Sequence, residues 1–190
     1  MTEKLPAILR LATPILALIA APFFTEVGRA AEAEVVKVDT PSLEDYPDAG
    51  QAAGMVWHYI HGDEKPHLAF QVPQTDNELW RMTCQKQSDG SSRIANMIIA
   101  APEEMEAGDQ FGFSIRIDDR RSIGILARML PTSLEGETYH MPQFSLINSH
   151  ILFSALADGS RAYVNLNGSK FSIHLNGSGD ALAKFLKACQ

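Results

Sequence analysis

Cysteine is scarce: Cys84 and Cys189 are the two in 190 residues, too few for a disulfide-dense scaffold or a clustered-cysteine zinc module. Glycine (13) and proline (10) are spread without period, which excludes a collagen-like repeat. Positive charge is in deficit, with 16 Lys and Arg against 23 Asp and Glu and a net charge of −7. A surface of that sign argues against nucleic acid or an anionic membrane surface as a partner. Beyond residue 33 no segment is apolar enough to cross a bilayer. The chain also lacks Gly-x-Ser-x-Gly, His-Glu-x-x-His and a phosphate-cradling glycine loop ahead of a helix. Acyl hydrolysis, zincin chemistry and nucleotide binding therefore have no motif to rest on. With 45% apolar and 21% charged residues, what remains fits one globular domain.

What is present begins with an address. Lys4 and Arg10 precede the apolar run Leu11–Phe24, and the small-residue stretch Arg29-Ala30-Ala31-Glu32-Ala33 follows. This is the pattern of a secretory signal peptide, with Ala31 and Ala33 placing the cut after Ala33 and cuts after Ala30 or Ala31 as alternatives. An uncleaved anchor is disfavoured because Pro14 and Pro22 interrupt a run shorter than the ~20 residues a span needs. No cysteine lies near the cut, so a lipoprotein is excluded. The removed segment carries Lys4, Arg10 and Arg29 against Glu3, Glu26 and Glu32, so the mature chain keeps the net charge of −7. The expected location is the bacterial periplasm or the medium.

Export places the two thiols where they pair and stay paired. Cys84 shares a predicted strand face with Trp80 and Met82, and Cys189 continues the helical stripe Leu182, Phe185, Leu186, so both sulfurs face the core. A Cys84–Cys189 disulfide is the expectation, with two separate buried thiols as the alternative.

Residues 34–52 carry Asp39, Glu44, Asp45 and Asp48 with Pro41 and Pro47 and show no apolar period. They read as an acidic linker between the signal peptide, 1–33, and a single β-rich domain, 53–190. Met55, Trp57 and Tyr59 alternate before the turn His61–Pro66, and Leu68, Phe70 and Val72 alternate after it, which predicts a hairpin. Glu78–Gln85 and Arg93–Ala100 continue it as an antiparallel meander. Phe111, Phe113, Ile115 and Ile117 define another strand, and Ile123, Ile125, Ala127 and Met129 its return. Leu126 and Leu130 make the opposite face of that return strand apolar too, so a cover is expected there, and helices are its natural source. Pro131–Phe144 has no period and reads as a long loop. A helix is predicted from Ser149 to Asp158, capped by Ser149 or Asn148 and ended by Gly159. Asn167-Gly168 between alternating runs marks a tight hairpin, and Ser178 as N-cap opens a C-terminal helix. The expected fold is mainly β: an antiparallel β-sandwich or partly open barrel of about eight strands with a central and a C-terminal helix.

Leu79-Trp80-Arg81-Met82-Thr83-Cys84, Ser114-Ile115-Arg116-Ile117-Asp118, the helix around Ile151-Leu152-Phe153, and Phe171–Gly177 leading to Ala188-Cys189 form an ordered set. This set resembles a loose class of small exported bacterial envelope proteins that includes the type VI secretion-associated VasI-like proteins. The resemblance implies a small β-rich domain pinned by a strand-to-C-terminus disulfide, with Cys84 and Cys189 carried over as that pair. It implies no catalytic site. The histidine-rich first hairpin and the segment after Met129 lie outside the shared pattern.

Trp57–His67 offers His58, His61 and His67 with Asp63 and Glu64, donors that zinc or copper accepts. On a strand His58 and His61 face opposite ways, so His61 and His67 across the turn are the candidate ligand pair, and an ordinary exposed turn is the plainer reading. Arg116 and Asp118, two apart on one face, suit recognition of a carboxylate-bearing partner or a simple ion pair on a wet sheet face. Tyr139, His140, Met141 and Phe144 are contact-type residues near the end of the long loop. The functional expectation is therefore an exported, non-catalytic envelope protein that binds another envelope protein or complex and holds no cofactor. The rivals are a periplasmic metal-binding protein using the His58–His67 hairpin, and a hydrolase whose site, drawing on His140 or His174, is assembled by folding.

Overall fold

The structure is a computed structural model that describes residues 41–61, 65–100, 102, 105–134 and 136–190. The signal peptide, residues 34–40 of the acidic linker, and Asp63 and Glu64 of the candidate metal hairpin lie outside the described residues. The element order is β1 (Val56–Ile60), β2 (His67–Gln71), β3 (Glu78–Lys86), β4 (Ser92–Ile98), β5 (Gln110–Ile117), β6 (Ile123–Leu134), β7 (Glu137–Ile147), α1 (Ile151–Asp158), β8 (Arg161–Leu166), β9 (Ser169–His174) and α2 (Ser178–Ala188).

The strands form a nine-stranded antiparallel sheet in the order β1-β2-β3-β4-β7-β6-β5-β8-β9. Its first four strands are the meander expected from sequence. The sheet curls into a half-barrel whose two end strands meet. Trp57 of β1 donates its indole N–H to His174 O at 3.0 Å, and His174 Nε2 donates back to Met55 O at 3.0 Å. His174 also sets its ring edge-on against Phe70, with centroids 5.2 Å apart. The barrel seam is thus closed by side chains rather than by a ladder.

Period-two alternation explains the core. Trp80 and Met82, Ile94 and Ile98, Phe113, Ile115 and Ile117, and Val164 and Leu166 point inward and are buried with Leu152, Phe153 and Leu156 of α1 and Leu182 and Phe185 of α2. An aromatic chain crosses this core, with Trp57–Phe70 centroids at 5.3 Å, Trp57–Trp80 at 5.9 Å and Phe113–Phe144 at 5.3 Å. The one buried amide on β4, Asn96, accepts from Trp80 Nε1 and donates to Ile94 O, so no cost of unpaired burial arises.

Cys84 of β3 and Cys189, just past α2, form a disulfide with Cα atoms 5.5 Å apart. The C-terminal helix is thereby fastened to the middle of the meander and packs on β1 and β2.

Three expectations about local structure are corrected. The cap of α1 is His150, whose Nδ1 accepts from Leu152 N, not Ser149 or Asn148. The cap of α2 is Gly177 at φ 81°, and Ser178 enters the helix as its first residue. Its buried hydroxyl lies within 2.6 Å of Leu156 O and 2.7 Å of Leu175 O, tying the two helices. Pro131–Phe144 is no loop: it is the far end of β6 and most of β7.

Residues 41–52, assigned to the linker by composition, run beside β9. Ala49 N donates to Ser172 O and Ser172 N to Pro47 O, while Asp48 ion-pairs with Arg161. Tyr46 meets the Tyr163 ring edge-on at 5.6 Å. This strap covers the free edge of β9, which would otherwise present unpaired backbone groups.

Candidate functional site

The β6–β7 hairpin is the part of the sheet that its neighbours do not share. The β5–β6 ladder ends at Gln110↔Arg128 and the β4–β7 ladder at Met97↔Gln143, whereas β6 and β7 pair with each other from Arg128↔Gln143 to Leu134↔Glu137. At Arg128 and Gln143 each strand changes partner, so the sheet forks and residues beyond it form a two-stranded arm.

Two prolines shape the arm's edges. Met129 N donates sideways to Asp109 O, so the N positions of residues 129 and 131 point away from β7. Pro131 therefore sits where the ladder needs no N–H, and Pro142, paired with Met129, does so on the other edge. Each removes a donor from an otherwise open edge, the usual defence against strand addition.

Helices α1 and α2 fill the inward side of the sheet, not the side of Leu126 and Leu130, so among the described residues no helix covers that face. Leu126 is 68% exposed, Ile147 52%, Tyr139 42% and Leu130 36%. Leaving a leucine side chain in water forgoes roughly 1.5–3 kcal/mol of burial. Leu130 faces Met141 across the arm, and Leu126 faces Gly112 of β5.

Where the arm meets the outer face of β3 and β4, a shallow groove of about 260 Å³ is lined by Arg81, Thr83, Gln85, Met97, Thr132 and Gln143 among others. Gln143 Nε2 donates to Thr132 Oγ1 at 3.0 Å, and Arg81 is held by Glu78 at 2.7 Å. Arg93 donates to Ser145 Oγ and Ser145 O. Arg128 Nε lies 3.2 Å from the Gln110 side-chain oxygen when that amide faces it. Other openings among the described residues include an apolar groove of about 290 Å³ between α1 and α2, one of about 300 Å³ between β1 and α2, and one of about 530 Å³ beside Cys84 flanked by Lys65 and Lys86.

The contact residues read from sequence divide. Tyr139 and His140 are exposed on the arm and Met141 is half-buried there, but Phe144 is 6% exposed and belongs to the aromatic core. Arg116 Nε donates to the backbone oxygen of Asp118 at 3.2 Å. Asp118, at φ 50°, accepts from Ser160 N at 3.0 Å and Arg161 N at 2.9 Å, pinning the end of β5 to the start of β8.

The histidines are spent separately. His61 Nδ1 lies 3.4 Å from Tyr59 Oη, and His67 Nδ1 lies 3.3 Å from Lys65 O. His58 sits opposite Ala69. Among the described residues no group of three or more His, Cys, Asp or Glu is placed to hold a metal ion. Of the other three histidines, His140 is on the arm, His150 caps α1 and His174 closes the seam, its Nδ1 buried without a partner among the described residues. In the Ser88–Ser91 turn, the Ser91 hydroxyl and then its backbone N–H hold the Asp89 carboxyl below the usual aspartate range.

What sequence reasoning missed is the fork, Arg128 and Arg93 on the outer face, and the glycines Gly112 and Gly124 around Leu126. The available signal was the doubly apolar β6, with Leu126 and Leu130 out of phase with the core.

No protein-family model matches this chain, and no curated protein matches it. Among solved structures it is similar to invasion associated protein B from Bartonella henselae, at 13% identity and a TM-score of 0.43, over 70% of this chain and 93% of that one. The resemblance to VasI-like proteins rests on its sequence elements alone. No helix among the described residues is long and apolar enough to cross a membrane.

Proposed function

We propose that this is an exported, non-catalytic protein of the bacterial envelope that binds another envelope protein through the outer face of β6 and the β6–β7 arm. The observation that carries this reading is the uncovered apolar surface of Leu126, Leu130, Tyr139 and Ile147 on a domain whose helices are committed to the opposite side. Exposed apolar positions on the outward faces of β6 and β7, which also carry Arg128, have the composition of contact surfaces rather than of ordinary solvated sheet. The signal-peptide pattern and the disulfide support export.

A photo-crosslinking amino acid placed at Leu130, and in a second variant at Lys184 of α2, tests this in the exported fraction of the native cells. An adduct of one defined mass from position 130 and none from 184 is expected. Adducts from both positions, or from neither, would overturn the assignment of the face.

A further inference from the structure

Building on that reading, we infer that the stripe Leu126-Arg128-Leu130 of β6 docks an acidic polypeptide segment, with a carboxylate on Arg128 between two apolar contacts. Charge is segregated in this molecule. Outward positions of the strands carry Arg81, Arg93, Arg116, Arg128, Arg161 and Lys170, while among the described residues the one carboxylate at such a position is Glu137, at the arm's tip. Glu78 and Asp48 neutralise Arg81 and Arg161. Arg93 and Arg128 lean on the neutral partners Ser145 and Gln110, and no ion pair among the described residues engages them. Charges more than about 8 Å apart are screened at physiological salt, so the net −7 of the chain does not cancel this local field.

The second observation is the pair of glycines. Gly112 and Gly124 occupy outward positions next to Leu126, neither has positive φ, and a Cβ built on either meets nothing within 4 Å. The chain's own packing needs neither, although glycine in a strand costs roughly 0.5–1 kcal/mol against alanine. Bare backbone beside an exposed leucine suits close approach by another main chain.

Pro131 and Pro142 close the arm's edges, so the segment lies across the face instead of adding to an edge. Exposed Glu106 and Asp109 lie beside β6, where Gly108 N bonds Met129 O, and Glu137 marks the tip. These carboxylates repel a broad anionic plane, which disfavours a lipid surface as the occupant.

The test is titration of the isotope-labelled mature protein with a synthetic twelve-residue peptide of alternating Leu and Glu, followed by amide chemical shifts. Shifts centred on Gly112, Gly124 and residues 126–130 are expected. Affinity should fall about tenfold, some 1.4 kcal/mol, in Arg128→Gln, and should weaken as salt rises. Gly112→Val should abolish binding while leaving the unfolding midpoint equal or higher, which separates the site from stability. Equal binding of the Leu/Gln peptide, shifts confined to the helices, or tighter binding to phosphatidylglycerol vesicles would overturn the inference. If the peptide fails while crosslinking from Leu130 succeeds, the acidic partner is refuted and the docking face stands; if crosslinking fails as well, the functional reading falls with it.

Discussion

Breaking the Cys84–Cys189 bridge offers the sharpest account of what holds the domain together. The bridge closes a separation of 105 residues. In the chain-entropy model a loop of that length lowers the entropy of the unfolded chain by enough to stabilise the fold by about 4.7 kcal/mol. Domains of this size are stable by about 5–15 kcal/mol, so the cross-link supplies a large share of the total. Because it ties α2 to β3, its loss acts on the helix that seals β1 and β2. Guanidinium unfolding followed by circular dichroism measures the effect. Cys84→Ala, Cys189→Ala and the double variant should all lose the same amount, to within the roughly 1 kcal/mol that separates truncating a half-buried from a buried side chain. Reduced wild type should fall to the same midpoint and unfold with a steeper denaturant dependence, since an uncrosslinked chain exposes more surface. Additive losses in the double variant, or a wild type indifferent to reductant, would refute the reasoning.

Asp118→Ala removes the acceptor for two backbone N–H groups and should cost about 2–3 kcal/mol in the same unfolding assay, with Asp118→Asn losing about half, because it keeps the left-handed turn but not the charge. Phe144→Ala should cost about 3–5 kcal/mol, whereas Tyr139→Ala on the exposed arm should stay within about 0.5 kcal/mol; the reverse order would mean that the arm, not the aromatic chain, holds the core. Asp89 should titrate below the ordinary aspartate range by carbon-detected NMR, so its turn contact is present at neutral pH and is lost as pH falls through that lowered value. Ser91→Ala should return the titration toward the ordinary range.

Much of this fold is written locally. Alternation placed β1 to β5, the first half of β6, β8 and β9 because each has one face in the core, and Asn167-Gly168 fixed the last hairpin through its two positive φ values of 46° and 102°. The arm was not legible because Pro131 and Pro142 normally punctuate loops, and only the ladder shows that they sit at edge positions that need no N–H. The caps were misread for a related reason: His150 and Gly177 are weaker local signals than Asn148, Ser149 and Ser178, and tertiary contacts decide among them. Of the candidate site, Tyr139, His140 and Met141 were recognisable as contact-type residues, but Phe144 could not be separated from them without the strand phase. Arg128 gave no signal in a chain whose overall charge is negative, since segregation of charge by face appears only when the strands are paired.

The central claim is that an exported chain uses this outer face to hold a protein partner. Native mass spectrometry of the protein recovered without chelator from the exported fraction of its own cells tests it most directly, run in parallel with Leu130→Asp. The account predicts a chain beginning near Glu34, two hydrogens lighter than its reduced mass, free of metal, and joined to a second envelope protein in the wild type but not in Leu130→Asp. A stoichiometric metal ion or small ligand, an unprocessed N-terminus, or a complex that survives the Leu130→Asp change would contradict it.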